Sequence, residues 1–263
     1  TTEPTRTGYT FLTWNTAKDG SGTNYAAGSA APDSNMTLYA QWRSNILLQQ
    51  VYVRYQNIDG TYGDYTMVYD ENHTYDSEFS WSAEDSLDDF DPDVYENANV
   101  NYVVDGTEVK ETYVDINRKK VNLKVGVYEK AGTNISLSPD VASYTVKVNG
   151  ETVIQGATEE NTIPVYVGAT YQLSYDLKTY STYCGLSDND TTFNSVSKSL
   201  SGTAVYSDDA ETYTYRMVYE RSYPITYELR GGEGVAENPT TYTVADSFTL
   251  KNSYLFRQLI PIL

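Results

Sequence analysis

Near the start of the chain stands the stretch TGYTFLTWN at residues 7–15, and LYAQW follows at residues 38–42 after a segment rich in Gly and Ser. Two aromatic clusters therefore fall at a set distance from each other. Aromatic residues in such an arrangement are expected to pack across a small sheet and to form its core, not a ligand-binding face. These residues are Tyr9, Phe11, Trp14, Tyr39 and Trp42.

A second group of stretches lies near the end of the chain. ITYELRGG at residues 225–232 runs on through Asn238-Pro239 to YTV at residues 242–244 and FTL at residues 248–250. Short runs of this composition around a Gly-Gly pair predict short strands joined by turns. The last residues, 254–263, continue no such pattern, and the sequence assigns no fold to them.

The first group, with its pattern G-Y-T-F-x-x-W followed by L-Y-A-Q-W, resembles the C-terminal half of the Listeria–Bacteroides repeat, also called the internalin B repeat. Residues 223–252 resemble the N-terminal half of the same repeat. The resemblance implies a β-grasp-like fold and a place in the tandem arrays of bacterial surface proteins. A chain that begins inside one copy and ends inside another is expected to be a piece of a longer array.

A half-repeat of this size has a stability problem. A segment of about 40 residues cannot bury enough apolar surface to offset its chain entropy. Residues 1–44 are therefore expected either to pack on a neighbour or to borrow missing strands. Because the two ends resemble complementary halves, the tail of one molecule could complete the head of the next, which would give a head-to-tail filament or a swapped dimer.

Between the ends, helical periodicity is scarce and short alternating runs separated by Gly, Asn and Asp dominate, which predicts a mainly β chain. Asp59-Gly60, Asp105-Gly106 and Asn149-Gly150 are expected to turn hairpins, because a two-residue type I′ turn needs positive φ at both positions. VYVRY at residues 51–55, with Gly60, has the outline of the opening of mucin-binding-type repeats of bacterial surface proteins.

Four segments are predicted. Residues 1–44 are the C-terminal half-repeat, residues 45–130 a first middle β module, residues 131–221 a second, and residues 222–263 the N-terminal half-repeat with the aberrant tail. The two middle modules end alike, in VGVYEK and YRMVYER. The predicted fold class is mainly β and multi-modular, with small β-grasp-like or β-sandwich modules and little helix.

Composition excludes some classes of partner. The formal net charge of −18 repels phosphate backbones and anionic lipid, so neither nucleic-acid binding nor membrane insertion is predicted. No apolar stretch is long enough for a membrane-spanning helix. The 27 tyrosines suit half-wetted sheets in small modules, since the ring packs while the hydroxyl reaches water. An aromatic surface that binds sugar is the alternative explanation of the tyrosine content.

The sequence predicts no catalytic, cofactor-binding or metal-binding residue. His73 is the only histidine and Cys184 the only cysteine, and they fall in different predicted modules. A Ser-His-Asp or Cys-His device needs a histidine base beside its nucleophile, and zinc needs clustered His and Cys. Nucleotide-binding glycine motifs and the βα alternation of barrel hydrolases are missing as well. The chain is therefore expected to be no enzyme and to use no cofactor.

Three further possibilities stay open. Asp89, Asp91 and Asp93 have the spacing of calcium ligands, but Pro92 interrupts the run and the EF-hand glycine is missing, which favours a solvated loop. Asp188-Asn189-Asp190 is a second such candidate. A Lys–Asn isopeptide crosslink would need a buried Lys, Asn and acid together. Trp81, beside the acidic residues 84–93, could be an exposed contact and is the first aromatic to test for sugar contact.

The predicted function is that of a non-enzymatic repeat region of a Gram-positive-type bacterial cell-surface protein. It would act outside the cell as an adhesive stalk, spacer or protein-interaction module. The partner would be a host or cell-wall protein or glycan, or another copy bound through the half-repeats. The alternative is a carbohydrate-binding accessory region of a larger secreted enzyme. Two or three coplanar exposed rings on one face would favour that alternative, whereas buried aromatics favour the spacer.

Overall fold

The computed structural model describes residues 3–30, 34–131, 134–138, 142–177, 181–187, 199–207, 212–231, 237–243 and 246–250. These residues form several small sheets and one helix of four residues. The prediction of a mainly β chain with little helix is therefore confirmed. The chain divides into two compact units, Thr1–Lys119 and Lys120–Leu263. The part of the chain that the structure describes contains no helix of the length and apolarity needed to cross a membrane.

The first unit begins with a three-stranded antiparallel sheet. Its strands are β1 (Tyr9–Asn15), β2 (Asn24–Tyr25) and β3 (Tyr39–Ser44), in the order β2-β1-β3. The buried side chain of Asn15 organises the loop after β1. Its Nδ2 donates to the carbonyl oxygens of Gly20 at 3.0 Å and Gly22 at 3.1 Å, and its Oδ1 accepts from the amide of Ala17 at 2.7 Å.

The rest of the first unit is built on a second sheet. This part of the unit contains the strands β4 (Ile46–Tyr55), β5 (Thr66–Thr74) and β8 (Lys110–Ile116), which form the sheet. It also contains a separate ribbon of β6 (Glu78–Ser82) and β7 (Asn99–Val103), with the helix α1 (Ala83–Ser86) between them. The sheet order is β5-β4-β8, with β4 and β8 parallel. Alternate residues of β4 face a core that includes Leu47, Val51, Val53, Phe79, Trp81, Val104 and Ile116.

The second unit has two larger sheets. Its strands are β9 (Lys120–Ala131), β10 (Asn134–Leu137), β11 (Ala142–Val148), β12 (Glu151–Ala157), β13 (Asn161–Tyr166), β14 (Thr170–Leu177), β15 (Ser181–Ser187), β16 (Ser199–Thr203), β17 (Thr212–Arg221), β18 (Tyr223–Pro224) and β19 (Thr241–Tyr242). One sheet has the order β10-β9-β17-β15, with β13 also on β9, and the other the order β12-β11-β14-β16. β18 and β19 pair separately.

The two larger sheets share one core. β9 buries every second residue, and β11 and β14 supply the opposite side with Tyr144, Val146, Tyr171 and Leu173. The Tyr144 hydroxyl lies 3.2 Å from the carbonyl oxygen of Val125 and so links β11 to β9. Burying alternate residues on two facing sheets is the usual way in which a β-sandwich closes its interior.

The sequence-predicted turns have mixed outcomes. Asn149 and Gly150 have φ of 49° and 85° and join β11 to β12, which confirms that hairpin. The hairpin predicted around Asp105-Gly106 is wrong, because β7 pairs with β6 while β8 pairs in parallel with β4. Such a pairing depends on a long crossover and leaves no local sequence signal.

The two similar closing segments of the predicted middle modules are neighbours in space. Val125 in β9 aligns with Tyr215 in β17, and the parallel register continues to Lys130 and Glu220. The structure thus groups β9 with the strands that follow it. The four-segment division, with its boundary after residue 130, stays a proposal.

Candidate interaction surfaces

His73 and Cys184, the only histidine and the only cysteine of the chain, lie in different units. His73 lies in β5, where its Nε2 is 2.7 Å from the hydroxyl of Tyr69 and its ring packs edge-on against Phe79 with centroids 5.1 Å apart. Cys184 lies in β15 of the second unit. Among the described residues, no group of three or more His, Cys, Asp or Glu is placed to hold a metal ion.

The acidic run at residues 84–93 forms α1 and the exposed turns after it. The Ser82 hydroxyl caps the helix by accepting from the amide of Asp85 at 3.2 Å. Asp91 Oδ1 accepts from the amide of Asp93 at 2.9 Å, and Asp89 accepts from the Tyr55 hydroxyl at 3.3 Å. The run is therefore exposed, as the loop prediction expected, and part of it is helical. Asp188-Asn189-Asp190 lies outside the described residues.

The prediction that Trp81 is an exposed contact is wrong. Its side chain is only 3% exposed and belongs to the core of the first unit. The reason is the alternation of β6, which turns Phe79 and Trp81 together toward the sheet of β4. The indole Nε1–H has no hydrogen-bond partner among the described residues. A buried donor without a partner carries a desolvation penalty of about 1–3 kcal/mol.

The buried lysine that an isopeptide crosslink requires is not found within the described ranges. The buried polar residues there are Asn15, Gln49, Ser82 and Ser138. Lys124, in the strand that runs beside β17, instead points outward, with its Nζ 2.9 Å from Oε1 of Glu160.

A cluster of tyrosines covers the outer face of the sheet β5-β4-β8. This tyrosine face consists of Tyr52, Tyr62, Tyr65 and Tyr113. Tyr52 and Tyr113 stack with ring centroids 5.0 Å apart and planes inclined by 18°, and Tyr65 meets Tyr113 edge-on at 5.0 Å. Stacking covers one face of Tyr52 and one face of Tyr113, while Tyr113 as a whole remains 53% exposed.

An ion pair holds the tyrosine face together. Arg54 Nε lies 2.7 Å from Asp115 Oδ1 and Nη2 lies 3.0 Å from Oδ2, while the guanidinium sits 4.6 Å from the ring centre of Tyr62 and 4.5 Å from that of Tyr65. The Tyr65 hydroxyl donates to Asp115 at 2.7 Å. The hydrogen bonds from Arg54 and Tyr65 hold the pKa of Asp115 below its ordinary value, and the bond to Asp115 raises the pKa of Tyr65.

The first sheet carries the predicted aromatic cluster. Phe11 meets Trp14 and Trp42 edge-on, with ring centroids 5.4 and 5.5 Å apart, so the rings pack across the sheet as expected. Each of the three rings is only half-buried, however, and among the described residues before Leu47 no hydrophobic side chain is fully buried. Within the part that the structure describes, β3 has no strand partner except β1.

The strand pair β1 and β3, with its aromatic cluster and the loop organised by Asn15, lies in a segment that matches a known family. Residues 1–41 match the family model of the Listeria–Bacteroides repeat domain. The resemblance seen in the sequence at this end is thereby confirmed. The corresponding resemblance of residues 223–252 stays a prediction, and Gly232 and Val244 within it lie outside the described residues.

The Listeria–Bacteroides repeat packs directly on the module that follows it. Its Tyr9 ring meets Tyr75 edge-on at 5.5 Å, and the Tyr9 hydroxyl donates to Asp76 Oδ2 at 3.1 Å. Asn45, the one residue between β3 and β4, donates its amide to the carbonyl oxygen of Gly8 at 2.9 Å and accepts from the amide of Tyr75 at 2.8 Å. Of the two expectations for a half-repeat, packing on a neighbour is therefore the one observed within this unit.

Among solved structures, the chain is similar to the Bacillus anthracis TIE protein, with 9% identity and a TM-score of 0.37 over 72% of this chain and 39% of that one. It is also similar to GBS52, the minor pilin of Streptococcus agalactiae, with 10% identity and a TM-score of 0.25 over 60% and 66% of the two chains. The pilus adhesin SpaC of Lactobacillus rhamnosus GG gives 9% identity and a TM-score of 0.25 over 80% of this chain and 34% of that one.

With TM-scores this low, none of these likenesses carries an argument about this chain. The chain also spans only about two-fifths of the length of the first of these structures. A search of curated proteins found no match.

Proposed function

We propose that the chain is a non-enzymatic repeat region of a bacterial cell-surface protein, exposed outside the cell, in which small β modules are joined in series as a stalk that also presents interaction surfaces. The observation that carries this proposal is the joint at Asn45. β3 ends at Ser44 and β4 begins at Ile46, so one residue separates the Listeria–Bacteroides repeat from the next module.

Three kinds of contact stiffen this joint. Asn45 uses both backbone groups to hold Gly8 and Tyr75, and its Oδ1 accepts from the Thr10 hydroxyl at 2.7 Å. The ring contact between Tyr9 and Tyr75 adds apolar burial on one side. A flexible linker of Gly and Ser would instead let the modules reorient freely. A joint of this kind suits a spacer, whose task is to hold its ends apart.

The absence of enzymatic activity is part of the proposal. His73 is half-buried, with its ring against Tyr69 and Phe79, and Trp81 is buried in the core of the first unit. Location outside a Gram-positive-type cell is supported by the matched repeat and is compatible with the acidic, soluble surface.

We propose two kinds of partner. One is a host or cell-wall protein or glycan, and the other is another copy of the chain bound through the half-repeats. Self-association is supported by the half-buried rings of Phe11, Trp14 and Trp42 and by the side of β3 on which no described strand pairs. Residues 1–44 carry three basic and three acidic side chains, and residues 222–263 carry three and four, so nearly all the net charge lies between them. Two nearly neutral ends can approach without the repulsion that the acidic middle would impose.

The carbohydrate-binding alternative receives less support. A sugar platform needs aromatic ring faces open to solvent, whereas Tyr52 and Tyr113 each cover one face of the other and Arg54 lies over Tyr62 and Tyr65. Trp81, the first aromatic proposed for sugar contact, lies in the core.

The stiffness of the joint tests the stalk proposal. In a Cys184→Ser background, spin labels at Ser29→Cys in the repeat and Glu108→Cys in the next module report the distance between them by pulsed electron resonance. We expect one narrow distance distribution. Tyr75→Ala should broaden it, while Tyr62→Ala, which removes a ring from the tyrosine face and not from the joint, should leave it narrow. A broad distribution in the unaltered joint would refute the stalk.

Self-association has its own test, because a stalk can be monomeric. Light scattering over a range of concentrations should show growth in mass that Trp42→Ala reduces. A strict monomer at high concentration would remove self-association from the proposal and leave the joint untouched.

A further inference from the structure

The strand β5 has an unpaired edge. Its nine residues, Thr66–Thr74, pair with β4 on one side, and within the described ranges no second strand pairs with them. No backbone hydrogen bond joins residues 66–73 to a described residue other than those of β4. β5 is also the longest edge strand in the part of the chain that the structure describes. A row of free N–H and C=O groups is a ready template for another strand.

The usual devices that block such an edge are weak in β5. The strand contains neither proline nor lysine, and its register with β4 has one shift, at Val68, and is unbroken from Tyr69 to Thr74. By contrast, the edge strand β12 has two register shifts against β11 and a glycine, Gly156, with φ of 64°. Bulges of that kind twist an edge away from partners.

The acidic side chains of β5 favour a basic partner strand. Asp70 and Glu71 lie side by side on β5, are both exposed, and project to opposite faces of the sheet. A second copy would bring the same carboxylates, and a net charge of −18, against this edge, so pairing between copies is disfavoured. Lysine or arginine side chains on an incoming strand would meet opposite charges instead.

The neighbouring side chains add an apolar contact. Met67 is 46% exposed and lies on the same face of β5 as Asp70, next to Tyr65, which is 38% exposed. An added strand would therefore place one side chain over Met67 and a basic one near Asp70. Its next residue, which points to the other face, would lie near Glu71. Backbone bonds supply affinity in strand addition, and such side-chain positions supply specificity.

We propose that the β5 edge binds an extended, basic segment of another protein by strand addition. The segment carries lysine or arginine at two successive positions, opposite Asp70 and Glu71, and an apolar residue near Met67. This inference goes beyond the stalk role and stands apart from it, because the joint depends on Gly8, Asn45 and Tyr75 while this site depends on β5.

Two synthetic peptides test the proposal on the full chain. One alternates valine and threonine around a central Lys-Lys pair, and the other carries Glu-Glu in its place. We expect the lysine peptide to bind, to slow amide exchange at residues 66–73, and to bind more weakly as salt rises. We expect the glutamate peptide to leave those amides unprotected. Equal binding of the two peptides, or protection confined to another strand, would overturn the proposal.

A charge reversal supplies the matched control. Asp70→Lys/Glu71→Lys should weaken the binding of the lysine peptide by about tenfold or more, since two rim charges change sign. For the same reason the double variant should bind the glutamate peptide. Asp88→Lys/Glu151→Lys alters the net charge equally at exposed positions away from β5 and should have little effect. Equal weakening by both variants would show attraction to net charge alone and would also refute the site.

Two further results complete the test. If the double variant fails to fold, Glu71→Lys alone gives the same comparison with a smaller expected change. Protection of residues 66–73 that grows with protein concentration, without peptide, would show that a second copy occupies the edge and that the basic partner is wrong.

Discussion

The ring of Tyr75 lies against the Cα of Gly8, so that a β-carbon on Gly8 would overlap three atoms of the ring. Gly8 also has φ of 77°, a backbone conformation that residues with side chains adopt at a cost. Two independent requirements therefore select glycine at this position. Gly8 opens the G-Y-T-F pattern of the Listeria–Bacteroides repeat, and its conformation joins the repeat to the next module.

Gly8→Ala tests the contact at the joint. Gly28 is a matched control, because its φ is 84° and no described residue lies within 4 Å of a β-carbon there. We expect Gly28→Ala to cost about 1–2 kcal/mol of unfolding free energy from backbone strain alone. Gly8→Ala should cost about 1–3 kcal/mol more, since the ring must move. Urea unfolding followed by tryptophan fluorescence measures both.

A Tyr75→Ala background removes the overlap and should reduce the cost of Gly8→Ala to that of Gly28→Ala. Equal losses for the two glycine variants in the unaltered chain would mean that the ring does not constrain Gly8.

The unpartnered indole of Trp81 makes an unusual prediction for a core tryptophan. Trp81→Phe removes a buried N–H that has no partner among the described residues, and this gain offsets part of the lost packing. We expect Trp81→Phe to lower the free energy of unfolding by no more than about 1 kcal/mol, whereas Trp81→Ala should lower it by about 3–5 kcal/mol because it leaves a cavity. Denaturant unfolding measures both. A Phe variant as damaging as the Ala variant would indicate that the N–H is hydrogen-bonded.

The ion pair of Arg54 and Asp115 predicts a pH dependence. The pKa of Asp115 is held below its ordinary value, first by the hydrogen bond from Arg54 and next by that from Tyr65. A carboxyl with a lowered folded-state pKa stabilises the fold above its unfolded pKa of about 3.9, and this contribution disappears as pH falls through the folded value. Asp115→Asn should therefore be less stable than the unaltered chain at pH 7. The difference should close below about pH 4.

Arg54→Lys separates charge from geometry in this pair, because lysine keeps the charge but cannot bond both carboxylate oxygens in a fork. We expect an intermediate loss at pH 7. If the stability of Asp115→Asn followed that of the unaltered chain at every pH, the ion pair would contribute nothing.

In the second unit, a buried hydroxyl links three parts of the sandwich. The Tyr144 hydroxyl accepts from Asn161 Nδ2 at 2.7 Å and lies 2.8 Å from the carbonyl oxygen of Glu159. Tyr144→Phe removes the hydroxyl as a partner of the Asn161 amide and the Glu159 carbonyl, and it should lower the free energy of unfolding by about 1–3 kcal/mol. A double-mutant cycle with Asn161→Ala measures the coupling, which should be clearly above zero. Additive losses would show that the bond to Asn161 is unimportant.

Local sequence patterns predict several of the strands and turns correctly. The alternation of VYVRY in β4 and the Asn149-Gly150 turn are visible in the sequence, and both hold in the structure. The error at Asp105-Gly106 has a different origin, since β8 pairs with a strand about 60 residues earlier and no local feature reports a parallel crossover. The prediction for Trp81 is wrong because the acidic residues that follow it suggest an exposed loop, whereas Phe79 and Trp81 alternate with exposed residues in β6.

The interaction surfaces were less accessible to sequence reasoning. Tyr52 and Arg54 occupy alternate positions of one strand, so their common face could be predicted. Their contacts with Tyr65 and Asp115 depend on the register of three strands. The open edge of β5 follows from sheet order, and a strand's sequence does not say whether it lies at an edge or in the centre.

The parallel pairing of β9 with β17 has a consequence for load. These are the first strand and the last long strand of the second unit, and nine residues of β17 are in register with β9. A pull on the two ends of this segment draws the strands past each other along their length. The hydrogen bonds between them then bear tension together as a row in shear, and none can open first as in a zipper.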